Sequence, residues 1–125
     1  SWTERRIQVA KKYHTLLSGI PGLMLPPVEG KRNVFHLFVI QVEKNRDRIL
    51  EYLREKGIQA SIHYPIPLHL QPVYYPRAYG GKNISLPATE SFAGRILSLP
   101  IFPEISENEI KTVADTLKYA TDKYL

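Results

Sequence analysis

The run over residues 34–42, Val-Phe-His-Leu-Phe-Val-Ile-Gln-Val, constrains this chain more than any other segment. It is apolar at both alternating sets of positions and rich in β-branched and aromatic side chains, so it predicts a central strand that must be covered on both faces. With 125 residues, 43% of them hydrophobic, the chain has enough apolar surface for one compact domain and is too short for two ordinary ones. The expected fold class is α/β (α+β), a small mixed sheet with helices packed on it.

The helices that provide the cover are visible as periodic patterns. Residues 2–18 place Ile7, Ala10, Tyr13, Leu16 and Leu17 at helical spacing, and Ser1 with Glu4 has the spacing of a capping box. Gly19, Pro21 and Gly22 end that helix, and Pro26, Pro27 and Gly30 make a turn-rich approach to the strand. A second helix is expected over 46–56, with Asn45 as an N-cap contributing about 1 kcal/mol. Ile49, Leu50 and Leu53 line its inner face, and Gly57 supplies the C′ position that favours positive φ. Residues 58–63 alternate Ile58, Ala60 and Ile62 with polar neighbours, which predicts a short strand and a βαβ unit of right-handed crossover. A helix over 87–95, a strand over 96–99 and a final helix complete the pattern. The last helix opens on a capping box of Ser106 and Glu109 and runs Ile110, Val113, Leu117 and Ala120 down one face.

The net charge of +5 is compatible with an anionic partner. The basic pairs Arg5/Arg6, Lys11/Lys12 and Lys31/Arg32 sit among acids, however, and no aromatic-and-basic stripe suited to base stacking appears, which argues against nucleic acid. No apolar run approaches a membrane span, so no membrane partner is expected. The absence of cysteine removes disulfides and thiolate metal sites and suits a cytoplasmic protein.

Residues 64–86 carry Pro65, Pro67, Pro72, Pro76 and Gly80-Gly81, too many breakers for a helix or a central strand. A long ordered loop is expected there, because Tyr64, Tyr74, Tyr75 and Tyr79 argue against disorder. Its first part, His63-Tyr64-Pro65-Ile66-Pro67-Leu68-His69-Leu70-Gln71-Pro72, gathers polar side chains on a backbone stiffened by proline, as a ligand site requires. A bland reading stands beside this: His63 and His69 as structural histidines bonded to loop carbonyls. Neither cysteine nor a nearby carboxylate completes a zinc set around them, so no metal is expected. His36 is expected to be a satisfied core or interface histidine, and His14 a solvated one. No nucleophile elbow or phosphate loop is present, since Gly80-Gly81-Lys82 is too short for one.

The order of segments also carries a resemblance. Glu4-Arg5-Arg6 and Tyr13, the 34–40 strand, Arg46-Asp47 with Leu53, and Lys56-Gly57-Ile58 come first. His63-Tyr64-Pro65, His69-Leu70-Gln71-Pro72, Leu86-Pro87 with Glu90, Ile96-Leu97-Ser98-Leu99-Pro100, and Phe102-Pro103 with Glu109 follow. Together they resemble the C-terminal small domain of the DegT/DnrJ/StrS-type sugar aminotransferases. The resemblance implies a fold-type I enzyme whose larger N-terminal domain binds pyridoxal phosphate and supplies the Schiff-base lysine, a domain expected to be absent from this chain. It implies amino transfer, usually from glutamate, to a keto group of a nucleotide-linked sugar, in a homodimer whose active sites lie at the subunit interface. Residues 1–125 would then be one small domain, with 1–18 ending an interdomain helix and 64–86 forming an active-site loop.

Carried over by resemblance, His63 and Tyr64 reach toward the sugar, while His69 and Gln71 shape the same loop. Arg77 and Lys82 are assigned to a nucleotide diphosphate on charge alone. None of the nine lysines matches the cofactor lysine, so no catalytic or cofactor-binding residue is assigned and the chain by itself is expected to be inactive. The Tyr-Pro-Ile-Pro-Leu-His form of the loop looks more like members that aminate 3-keto than 4-keto sugars. A stand-alone module that binds a phosphorylated metabolite without catalysis, and a basic nucleic-acid-binding domain of split βαβ type, are the competing readings. In the aminotransferase reading some of Trp2, Ile7 and Val9 should be exposed.

Overall fold

The computed structural model describes residues 1–29, 33–74 and 84–125. Three strands and four α-helices follow one another as α1 (Trp2–Leu17), β1 (Leu23–Met24), β2 (Phe38–Val42), α2 (Arg46–Glu55), α3 (Pro87–Ala93), β3 (Ile96–Leu99) and α4 (Glu107–Tyr124), with a 3-10 turn at Leu68–Leu70. The α+β class is as expected, but among the described residues the sheet is antiparallel throughout rather than mixed, in the order β1-β2-β3.

Strand alternation separates the two faces of this sheet. Phe38, Ile40 and Val42 of β2 and Leu97 and Leu99 of β3 are buried in one core with Ala10, Tyr13 and Leu17 of α1, Ile49 and Leu53 of α2, and Ile110, Val113 and Leu117 of α4. Register pairs Phe38 with Leu99 and Ile40 with Leu97, so these apolar side chains lie opposite one another on the helix side. Tyr13 packs its ring 5.2 Å from that of Phe38 and donates its hydroxyl to the Pro100 carbonyl at 2.9 Å. Burial, with the Glu109 carboxylate as a smaller contributor, pushes the Tyr13 hydroxyl well above its usual ionisation range. On the other face the register sets Val39 opposite Ser98 and Gln41 opposite Ile96. There Gln41 Oε1 is buried without a hydrogen-bond partner among the described residues.

Both capping boxes form as read. Ser1 accepts from the Glu4 N–H, and Ser106 Oγ accepts from the Glu109 N–H at 3.2 Å while the Glu109 carboxylate takes the Ser106 N–H at 2.7 Å. Gly57 takes φ of 79° at the end of α2, as its C′ assignment requires. Of the three side chains tied to an interdomain role for α1, Trp2 is 69% exposed, Ile7 is half-buried and Val9 is buried.

Four local expectations are corrected. Asn45 does not cap α2: it sits at φ 54°, outside the extended geometry of an N-cap, and its side-chain amide donates to the Tyr124 carbonyl at 2.8 Å instead. The strand over 34–42 starts only at Phe38, because Phe35 turns through φ 49° with its N–H held by Asn33 Oδ1 at 3.0 Å. His36 is therefore exposed rather than a core histidine. Residues 58–63 form no strand and no parallel βαβ unit. The Ile58 N–H is taken by Leu53 O and the Ala60 N–H by Ile58 O, leaving only Ser61 to bridge Ser98, antiparallel. Leu23–Met24, assigned to no element from the sequence, pairs with β2 as an edge strand.

Candidate functional site

The Ser61–Ser98 bridge, with N–H···O distances of 3.1 and 2.7 Å, brings the chain alongside β3 just before His63. Past that point the prolines keep the backbone irregular, and it returns through the Leu68–Leu70 turn. Facing it is α3, entered through Pro87 at its first position and presenting Thr89, Phe92 and Ala93 on one side, the i, i+3, i+4 set of a helical face. Between the two lies an open groove of about 570 Å³. His63, Tyr64, Ile66, Pro67, Leu68 and Gln71 form one wall, and Thr89, Phe92, Ala93 and Ile96 the other.

Each wall is pinned by polar contacts. Arg46 of α2 donates from Nη1 to the Ala93 carbonyl at 3.1 Å and to the Ile96 carbonyl at 2.9 Å, which fixes the end of α3 against the start of β3. Its Nε donates to Asp47 Oδ1 at 2.6 Å. His69 is 5% exposed, and its Nε2 donates to Glu90 Oε1 at 3.0 Å, tying the loop to α3. The same carboxylate oxygen accepts the Leu86 N–H at 2.8 Å. The hydrogen bond from His69, then that from the Leu86 N–H, hold the Glu90 carboxyl below its ordinary value of 4.5.

Of the side chains singled out from sequence, the structure brings His63, Tyr64 and Gln71 together around the groove. His63 places Nδ1 2.9 Å from Ser98 Oγ, and its ring meets that of Tyr64 edge-on at 5.5 Å. Tyr64 is 71% exposed. His69 is not a groove residue: its imidazole is buried against Glu90, the structural role that the bland reading of the loop histidines allowed, with a carboxylate in place of a loop carbonyl. Arg77 and Lys82 lie outside the described residues. Sequence reasoning missed Thr89, Phe92, Ala93 and Ile96, and it passed over Ser98 as a partner for His63. One signal was available, since a serine inside an apolar strand has to find a hydrogen bond when buried.

The groove offers apolar and aromatic surface with imidazole, phenol and carboxamide groups at its margin, suited to a polyol ring that stacks on one side and exchanges hydrogen bonds on the other. Its described lining contains no lysine to form an imine and no arginine to hold a phosphate, so these residues do not fit pyridoxal phosphate itself. Among the described residues no three His, Asp or Glu side chains are grouped to hold a metal, and no helix is long and apolar enough to cross a membrane.

An antiparallel sheet backed by helices on one side, with a proline-stiffened loop beside its last strand, is the architecture this chain shares with solved aminotransferase structures. The chain belongs to the DegT/DnrJ/EryC1/StrS aminotransferase family, which it matches over residues 1–118. It is 42% identical over 118 residues to the erythromycin biosynthesis sensory transduction protein EryC1 of Saccharopolyspora erythraea, covering 94% of this chain and 31% of that one. It is 39% identical to the dTDP-3-amino-3,4,6-trideoxy-α-D-glucose transaminase of Streptomyces venezuelae, again over 94% of this chain and 31% of the relative. In structure it resembles DesV of S. venezuelae, solved with a ketimine intermediate, with a TM-score of 0.87 and 36% identity over 98% of this chain and 32% of that one. NtdA of Bacillus subtilis, solved with bound cofactor PMP, aligns at a TM-score of 0.85 and 28% identity over 97% of this chain and 28% of that one. The chain thus spans about a third of the length of the relatives it matches.

Proposed function

We propose that this chain is the substrate-facing small domain of a pyridoxal-phosphate-dependent aminotransferase that moves an amino group from glutamate to a keto group of a nucleotide-linked sugar. The observation that carries the reading is the groove in which His63, Tyr64 and Gln71 converge beside an apolar helix face. The relatives named as transaminases of dTDP-linked sugars support a nucleotide-linked sugar as the ligand of that groove. The cofactor supplies the electron sink when bound, in a part of the protein this chain does not include. The chain's own residues bind and orient: Tyr64 and Phe92 provide aromatic surface, and His63 and Gln71 provide hydrogen bonds. His69 holds the loop that presents them. Arg77 is assigned to the diphosphate. A homodimer is supported by apolar side chains left in water, with Leu68 64% exposed at the groove wall and Val73 73% exposed further along the loop.

The test is an amino-transfer assay of a complete enzyme carrying this domain, with pyridoxal phosphate, glutamate and dTDP- or UDP-linked 3-keto and 4-keto sugars. Amination of one of these, with His63→Ala lowering kcat/KM about tenfold or more, as expected for one lost hydrogen bond to substrate, supports the proposal. No transfer to any of them, with binding of nucleotide sugar retained, would favour a non-catalytic module.

A further inference from the structure

We propose that Ser98 is a positioning residue: it fixes His63 in the tautomer that carries hydrogen on Nε2, so the groove presents an N–H donor that selects an oxygen acceptor on its ligand. The juxtaposition is Ser98 Oγ 2.9 Å from His63 Nδ1. Ser98 is 3% exposed, and among the described residues its hydroxyl has no other hydrogen-bond partner.

The direction of this bond follows from counting donors. A serine hydroxyl carries one hydrogen and two lone pairs, whereas the Nδ1 of a neutral imidazole either donates or accepts. With hydrogen on Nδ1, the imidazole would donate to a lone pair of Ser98 Oγ, and the buried Ser98 O–H would have no acceptor among the described residues. With hydrogen on Nε2, Ser98 donates to Nδ1 and every buried hydrogen is used. The backbone holds Ser98 still while it does so, since its N–H and carbonyl both pair with Ser61. β3 therefore carries the hydroxyl on the sheet face opposite the helices, with Val39 and Gln41. His63 Nε2 has no partner among the described residues, and His63 lines the groove. A neutral His63 then donates through Nε2 to a carbonyl, hydroxyl or phosphate oxygen and rejects a ligand that brings a donor to that point.

That the acceptor belongs to a nucleotide sugar rests on the functional reading above; the tautomer does not. The test uses the 125-residue chain with ¹⁵N-labelled histidine, observed well above the imidazole titration range and without substrate. Expected is an Nδ1 resonance in the unprotonated range and an Nε2 resonance in the protonated range for His63. In Ser98→Ala both should move toward the average of a free imidazole, and Ser98→Thr should restore the split. A protonated Nδ1 in the natural chain, or a split unchanged in Ser98→Ala, would overturn the proposal. Because no substrate is present, an enzyme that aminates no sugar would overturn the functional reading and leave these shifts as they are.

Discussion

The helix-backed face of the sheet and the loop wall beside it are held together by different physics. On the first, Phe38, Ile40, Leu53, Leu97 and Leu117 are fully buried among one another, and no polar side chain is needed to define their places. Along 64–74 the relation is inverted. Tyr64, Ile66, Leu68, Leu70 and Val73 face water while the most buried side chain is a histidine. A core of the first kind is non-directional and forgives loop sequence; a wall of the second kind depends on a few directed bonds. Rigid scaffold and separately pinned loop is the arrangement that lets a binding surface vary without loss of the fold.

The contrast is broken most severely from the core side. Phe38→Ala removes a ring packed against Tyr13 and Phe35 and should cost about 3–5 kcal/mol, read as a lower urea midpoint in which both regions unfold together. Glu90→Ala should sharpen it: the global transition stays near that of the natural chain, while amide exchange at 68–71 and 86–90 becomes faster. Acid should reproduce this change. The Glu90 carboxyl is held below 4.5 in the folded chain, so its contribution is fully present above pH 4.5 and is lost as pH falls through the lower folded value. Protection of the loop amides, taken relative to the intrinsic exchange rate at each pH, should therefore fall below pH 4.5 in the natural chain and change less in Glu90→Ala. The smallest effect belongs to the sheet's other face, where Gln41→Met removes a buried oxygen that has no partner among the described residues, at similar volume. It should leave the melting temperature unchanged or raise it, by up to about 1 kcal/mol in stability.

This difference also explains what could be read from sequence. Hydrophobic period and capping boxes are local, so α1, α4 and β3 were legible, and with them most of the core. Asn45 was misplaced because its partner, the Tyr124 carbonyl, lies 79 residues away. Residues 58–63 kept their alternation, with Ile58 and Ala60 buried, but their N–H groups were used locally, which no periodicity records. At the site, the crowding of His63, Tyr64 and Gln71 marked the right loop. The division of labour between two histidines six positions apart was hidden, because Ser98 and Glu90, which set it, come from β3 and α3.

The hydroxyl of Tyr13 sets a limit of another kind. Seven other tyrosines are present in the chain, yet this one is sealed beneath α1 with its hydrogen committed to the Pro100 carbonyl. In the unfolded chain it would release that hydrogen near pH 10, while the folded chain keeps it to a higher pH. Above pH 10 each further unit therefore favours unfolding by about 1.4 kcal/mol until the folded form also ionises. The domain therefore carries an alkaline limit to which one phenol in its interior contributes.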